Sequence, residues 1–161
     1  VVELGKDPVD RLPFLYLTGL TDFTLSEVEL EGLRRYLLDG GYLLINNSLG
    51  LSEFDNAVRR EVKRLFPQGE LKRLPADHAL YSEGPFKVSE VQYSLPTKSR
   101  FPDLNGPLLE AVEIANQPRL IYSPFDLAAG WQGDEHPLAY TVQPGSALQL
   151  GANLITWYLT H

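Results

Sequence analysis

Residues 13–50 read "PFLYLTGLTDFTLSEVELEGLRRYLLDGGYLLINNSLG", and this stretch decides the fold. Pro13–Thr18 is a continuous apolar run of the buried-strand type. Ser26 with Glu29 makes a capping box, Leu30, Leu33 and Leu37 recur on one helical face, and Gly40 supplies the C′ stop. Tyr42–Ile45 follows at once as a second apolar run. Strand, helix and strand within about 30 residues predict a right-handed βαβ unit with parallel strands.

The same logic extends outward. A second helix is expected to begin near Ser52, with Phe54, Val58, Val62 and Leu65 on its apolar face. Arg59, Arg60, Lys63 and Arg64 take the opposite face, which reads as the solvent side. Pro67-Gln68-Gly69 ends this helix, and Glu70–Leu74 reads as another strand. Residues 75–108 are rich in Pro, Gly and Ser, so an irregular excursion is expected, with one short strand at Lys87–Tyr93. "LEAVEI" and "RLIYSP" read as two strands joined by a tight turn at "NQP". Ser146 and Gln149 suggest a capping box opening a last apolar helix through Leu159, and Val1–Leu4 suggests a short first strand. Strands alternating with helices predict an α/β fold: a three-layer α/β/α sandwich with a mostly parallel sheet.

The end of the Tyr42–Ile45 strand poses the chemical question. Asn46-Asn47-Ser48-Leu49-Gly50 matches the G-x-S-x-G nucleophile elbow with Asn at the first position, and Asn tolerates positive φ. One reading makes Ser48 a nucleophile. The other makes this the polar end of a core strand, whose Asn amides cap neighbouring backbone groups. A hydrolase would need a base, and the three His are His78, His136 and His161. His78 follows Asp77 in "PADHALY", where Asp77 is expected to cap a short helical stretch. His136 lies in the acidic turn "GDEHP".

Composition removes several classes of function. With 14 Lys+Arg against 21 Asp+Glu the net charge is −7, which argues against a phosphate-neutralising nucleic-acid binder. The absence of Cys excludes disulfides, thiolate nucleophiles and thiolate metal sites. No pair of His has metal-ligand spacing, and no phosphate loop or dinucleotide fingerprint is present, so no metal and no cofactor is expected. No run approaches the roughly 20 apolar residues of a transmembrane helix, so no direct membrane insertion of this segment is expected. Val1 in place of an initiator Met, with Met absent throughout, suggests a piece of a longer chain, here a single domain.

In parallel α/β sheets ligands bind beyond the carboxyl ends of the strands. Thr18, Asn46, Asn47, Ser48, Ser123 and Asp126 all fall at such ends, and they offer hydrogen bonds rather than strong acid–base pairs. They are the candidate ligand-binding residues, for a small molecule or a protein partner.

"PFLYLTG", "LSEVELEGLRRYLLDGGYLLIN", "FDNAVRREVKRLFP", "LPADHALY", "IYSPFDLAAGW" and "LGANLITWYL", in that order, resemble a bacterial family known as domain of unknown function 4159. More distantly, the strand–"LS-x-x-E"–helix–"GG"–strand stretch resembles the class I glutamine amidotransferase-like superfamily, including trehalose-utilisation-type proteins. The resemblance implies a flavodoxin-like sandwich in which a further strand and helix usually precede "VVEL". It also implies a frequent upstream leader or membrane segment, and so a location outside the cytoplasm, periplasmic or membrane-tethered. True amidotransferases carry a Cys after the strand equivalent to Tyr42–Ile45. Asn47-Ser48 stands there instead, so glutaminase activity is not expected.

Overall fold

The computed structural model of the chain describes every residue except Val1, Gly5, Asp10 and Glu135. Five strands form one sheet: β1 (Leu15–Gly19), β2 (Leu43–Asn47), β3 (Lys72–Arg73), β4 (Glu110–Ile114) and β5 (Gln117–Ser123). Their spatial order is β1-β2-β5-β4-β3. Five helices accompany them: α1 (Glu27–Leu38), α2 (Ser52–Leu65), α3 (Leu95–Arg100), α4 (Leu127–Gln132) and α5 (Pro144–Thr160).

Strand alternation sends neighbouring side chains to opposite faces of the sheet, and each face meets its own helices. Leu43, Ile45, Leu120 and Tyr122 pack with Leu30, Leu33 and Leu37 of α1 and with Phe54, Val58 and Val62 of α2. Tyr42, Leu44 and Ile121 pack on the other side with Leu127 of α4 and with Leu150, Leu154 and Trp157 of α5. Burying each Leu or Val contributes roughly 1.5–3 kcal/mol, enough to override local propensity. The capping box is present in full: the Ser26 hydroxyl accepts from Glu29 N–H, and Glu29 accepts from Ser26 N–H. That bond to the Ser26 backbone holds the Glu29 carboxyl below its usual pKa.

The expected mixture of strands and helices is present, but the sheet is not mostly parallel. β1/β2 and β2/β5 pair parallel, whereas β5/β4 and β4/β3 pair antiparallel. The cause is local. β4 and β5 are joined by Ala115-Asn116, both at positive φ (52° and 62°), the backbone of a two-residue hairpin turn that forces antiparallel pairing. Pro118 is tolerated in β5 because pairing with β2 begins only at Leu120.

Several boundaries also differ from expectation. Val2–Leu4 is not a strand, and Val1 lies outside the described residues. β3 keeps two residues of Glu70–Leu74. The Lys87–Tyr93 strand is replaced by irregular chain with a single bridge, Tyr93 to Val142. α5 begins at Pro144, suited to the first helical turn, and Ser146 instead accepts a hydrogen bond from Gln92 N–H at 2.9 Å. The basic face of α2 is exposed at Arg59 and Lys63 as expected, but its arginines are not merely solvated. Arg60 and Arg64 donate to Phe23 and Leu25 carbonyls and to Glu61, which is 2% exposed, tying the chain before α1 onto α2.

Candidate functional site

β1, β2 and β5 run parallel and end together at Gly19, Asn47 and Ser123. Asn46 and Asn47 are adjacent on β2, so their amides point to opposite faces of the sheet.

On the α4 side the polar groups are spent on one another. Asn46 is fully buried; its Nδ2 donates to Asp126 Oδ1 at 2.9 Å, and its Oδ1 accepts from Leu127 N–H at 2.8 Å. The second carboxylate oxygen of Asp126 accepts from Leu49 N–H at 2.9 Å, and Oδ1 also caps α4 through Ala129 N–H. Thr18 Oγ1 donates to Asn46 O at 3.0 Å and lies 2.8 Å from Ser48 Oγ. Ser123 donates to Phe125 O. The structure therefore brings Thr18, Asn46, Ser48 and Asp126 together, as a knot closing the loops.

The turn after β2 has elbow character, one residue later than the motif suggests. Leu49, not Ser48, takes the left-handed conformation (φ 60°, ψ 0°). Its N–H is held by Asp126 and its carbonyl by Tyr140 N–H at 3.0 Å, which fixes an otherwise disfavoured backbone. Gly50 follows at φ 65°, and a Cβ there would stand 2.7 Å from Tyr140. The glycine of the motif is thus required by loop packing. Ser52 is the first residue of α2, and Leu51 occupies the cap position without a side-chain bond.

Ser48 and His78 are not brought together. His78, rather than Asp77, caps the turn Ala79–Tyr81, its Nδ1 accepting from Leu80 N–H at 3.2 Å. Its ring packs 5.4 Å from that of Trp157. Thr141, just before α5, bridges to Asp126, while Trp157 is near the far end of the helix. At 1.5 Å per residue from Pro144 to Trp157, His78 sits roughly 20 Å away, toward the opposite edge of the sheet.

The α2 side is different. Asn47 is 1% exposed; its Nδ2 donates to Leu51 O at 3.0 Å and to Tyr122 Oη at 3.2 Å, but its Oδ1 has no partner. Tyr122 Oη donates to Asp55 Oδ1 at 2.8 Å; burial first, then that carboxylate, pushes the tyrosine pKa well up. Arg59 bridges Asp55 and Glu110. Asn47 opens on a cleft of about 460 Å³ that Phe101, Leu108, Phe125 and Tyr140 also line. Arg100 enters it from the end of α3, 5.8 Å from the ring centres of both Phe101 and Tyr140.

A larger depression of about 700 Å³ lies between Lys6–Val9, Leu12-Pro13 and the end of α1, yet among the described residues no buried unpaired side-chain atom lines it. Arg100, Phe101 and Tyr140 were not legible as site residues. They come from the end of α3 and from the irregular chain before α5, distant in sequence from β2, and the only signal was their aromatic and cationic type. Among the described residues no group of three His, Asp or Glu is arranged to hold a metal ion. Nor, among the described residues, is any helix long and apolar enough to cross a membrane.

No curated protein matches the chain. The model of the family described as "Domain of unknown function (DUF4159)" matches residues 1–159, nearly the whole length over which this sheet and its loops are built. The chain belongs to that family.

Proposed function

We propose that this is a non-catalytic binding domain whose ligand, a small molecule, occupies the carboxyl-edge cleft beside Asn47. The observation that carries this reading is Asn47, which lines a cleft large enough for a metabolite and whose buried Oδ1 has no partner among the described residues. Leaving such an atom unmet costs about 1–3 kcal/mol, and a ligand donor recovers it. The geometry of the elbow agrees: Leu49 holds the strained position, Ser48 contacts Thr18, and among the described residues no imidazole hydrogen-bonds to Ser48.

The kinship we propose is with class I glutamine amidotransferase-like domains, flavodoxin-like in build and distantly akin to trehalose-utilisation-type proteins. It is supported by the parallel β1-β2-β5 block, by helices on both faces and by the sharp turn after β2.

The test is an amide-resolved NMR screen of a metabolite library. The expected hit shifts Asn47, Tyr122 and Arg100 and leaves the 700 Å³ depression unmoved. Hits confined to that depression, or hydrolysis of an ester or amide panel abolished by Ser48→Ala, would overturn the reading.

A further inference from the structure

We infer that the Asn47 cleft takes a small carboxylate carrying an O–H or N–H donor on the neighbouring carbon, with an apolar remainder: a 2-hydroxy or 2-amino acid. This rests on the binding reading above and names the ligand's chemistry from three independent features of the lining.

The first is the N-terminus of α2, which has 14 residues and no side-chain cap. Asp55 N–H is the first to find a helical acceptor, at Leu51 O, so the N–H groups of Ser52, Glu53 and Phe54 have none among the described residues. Leu51, Ser52 and Asp55 line the cleft, which places this positive helix end against it. Asp55 in the first turn is occupied by Tyr122 and Arg59, and Glu53 accepts from Asp22 N–H at 3.4 Å.

The second is Arg100. Its guanidinium lies over two aromatic rings and makes no ion pair among the described residues, whereas Arg59 in the same cleft is already bound to Asp55 and Glu110. A planar fork with aromatic backing suits a carboxylate.

The third is Asn47 Oδ1, which accepts and cannot donate, so its partner must bring a hydrogen. Two arginines against Asp55 and Glu110 leave the lining close to neutral. A neutral lining favours a monoanion or a zwitterion over a dianion such as phosphate. The walls of Leu51, Leu108, Phe101 and Phe125 supply the apolar part.

The experiment titrates the whole chain, followed by amide NMR, with four probes of one shape and size class and with inorganic phosphate. 2-Hydroxyisocaproate and leucine have both groups, isocaproate lacks the donor, leucinamide lacks the carboxylate, and inorganic phosphate lacks the apolar body. At least one of the first two is expected to shift Asn47 and the Ser52–Phe54 amides at millimolar concentration. Isocaproate and leucinamide should bind about tenfold more weakly, the loss of one hydrogen bond to a charged or buried group. Arg100→Gln, an exposed change that leaves folding intact, should weaken the acid about tenfold and leave leucinamide unchanged. Equal binding of leucinamide, or preference for phosphate, overturns the carboxylate assignment while the cleft still binds. Silence from both acids, with a neutral library hit seated at Asn47, overturns this inference alone. Silence from every probe and from the library overturns the binding reading as well.

Discussion

Asn46 and Asn47 are neighbours on one strand, equally buried, and they do opposite things. Asn46 faces α4 and both ends of its amide are engaged, by Asp126 and by Leu127 N–H. Asn47 faces α2 and only its donor is engaged. The difference follows from what the chain delivers to each side of the sheet. α4 starts immediately after β5, so its cap residue and first N–H groups reach Asn46. On the other side α2 starts after Leu51, and its first turn leaves a gap that Arg100 and Tyr140 only border. A buried polar residue at a strand end is therefore not by itself a sign of a ligand site; what sets Asn47 apart is an unpaired atom on a residue that lines a cleft.

The comparison breaks most easily at Asn46. Asn46→Ala removes one partner from the Asp126 carboxylate, which keeps Leu49 and Ala129 N–H, and the acceptor of the buried Leu127 N–H. The expected loss is about 3 kcal/mol of unfolding free energy, read as a fall in denaturant midpoint with an unchanged slope. A loss under about 1 kcal/mol would mean that the knot relaxes without it, and its structural role would go.

Asn47→Ala is the matching experiment, with a smaller effect. It removes two donated bonds but also an acceptor that was already unmet, so the expected cost is about 1 kcal/mol. Chemical denaturation of the two variants side by side gives the ratio directly. Equal losses would erase the distinction between a closing amide and an available one.

How much of this could be read from residues alone follows the same division. The βαβ unit was legible because the Ser26–Glu29 box, the Leu30–Leu33–Leu37 stripe and Gly40 are local signals that agree with one another. The buried faces of Leu33, Leu37, Phe54, Val58 and Val62 followed from helical phase. The gathering of Thr18, Asn46 and Asp126 at one edge followed from parallel strands. The sheet's antiparallel half has a local cause, the Ala115-Asn116 turn, whose pairing was not carried from the two-strand reading into the sheet. The rest of what failed was long-range or competitive, and β3 kept only two residues at the edge of the sheet. The Ser146 cap was outbid by Pro144, and Arg60 and Arg64, read as part of a solvent face, instead pair with the buried Glu61. Asn47 was named with Asn46, but nothing in the chain's pattern separates an amide that is satisfied from one that is not.

Arg100 sharpens the comparison from the open side. It borders the cleft without an ion pair among the described residues, so Arg100→Gln should leave stability within about 0.5 kcal/mol of the parent, as surface changes usually do. A larger loss by thermal unfolding would make the residue part of the scaffold and weaken the case that it waits for an anion.

The smallest expected effect is none at all, and it separates Ser48 from His78. Burial pushes the His78 pKa down, against the pull of Glu113, Asp77 and Glu83, and its Nδ1 must stay unprotonated to accept from Leu80 N–H. Since the folded value lies below the ordinary one of about 6.5, the unfolded chain binds the proton first as pH falls. The stability that His78 contributes is therefore complete above about pH 6.5 and is lost as pH drops through the folded pKa. Histidine NMR titration should show that lowered pKa unchanged in Ser48→Ala, because some 20 Å and the width of the sheet lie between the two. A shift of His78 in that variant would mean that the two groups share a field. The hydroxyl at the strand end and the imidazole at the far edge would then have to be brought into one site, and the binding reading of the carboxyl edge would give way to a catalytic one.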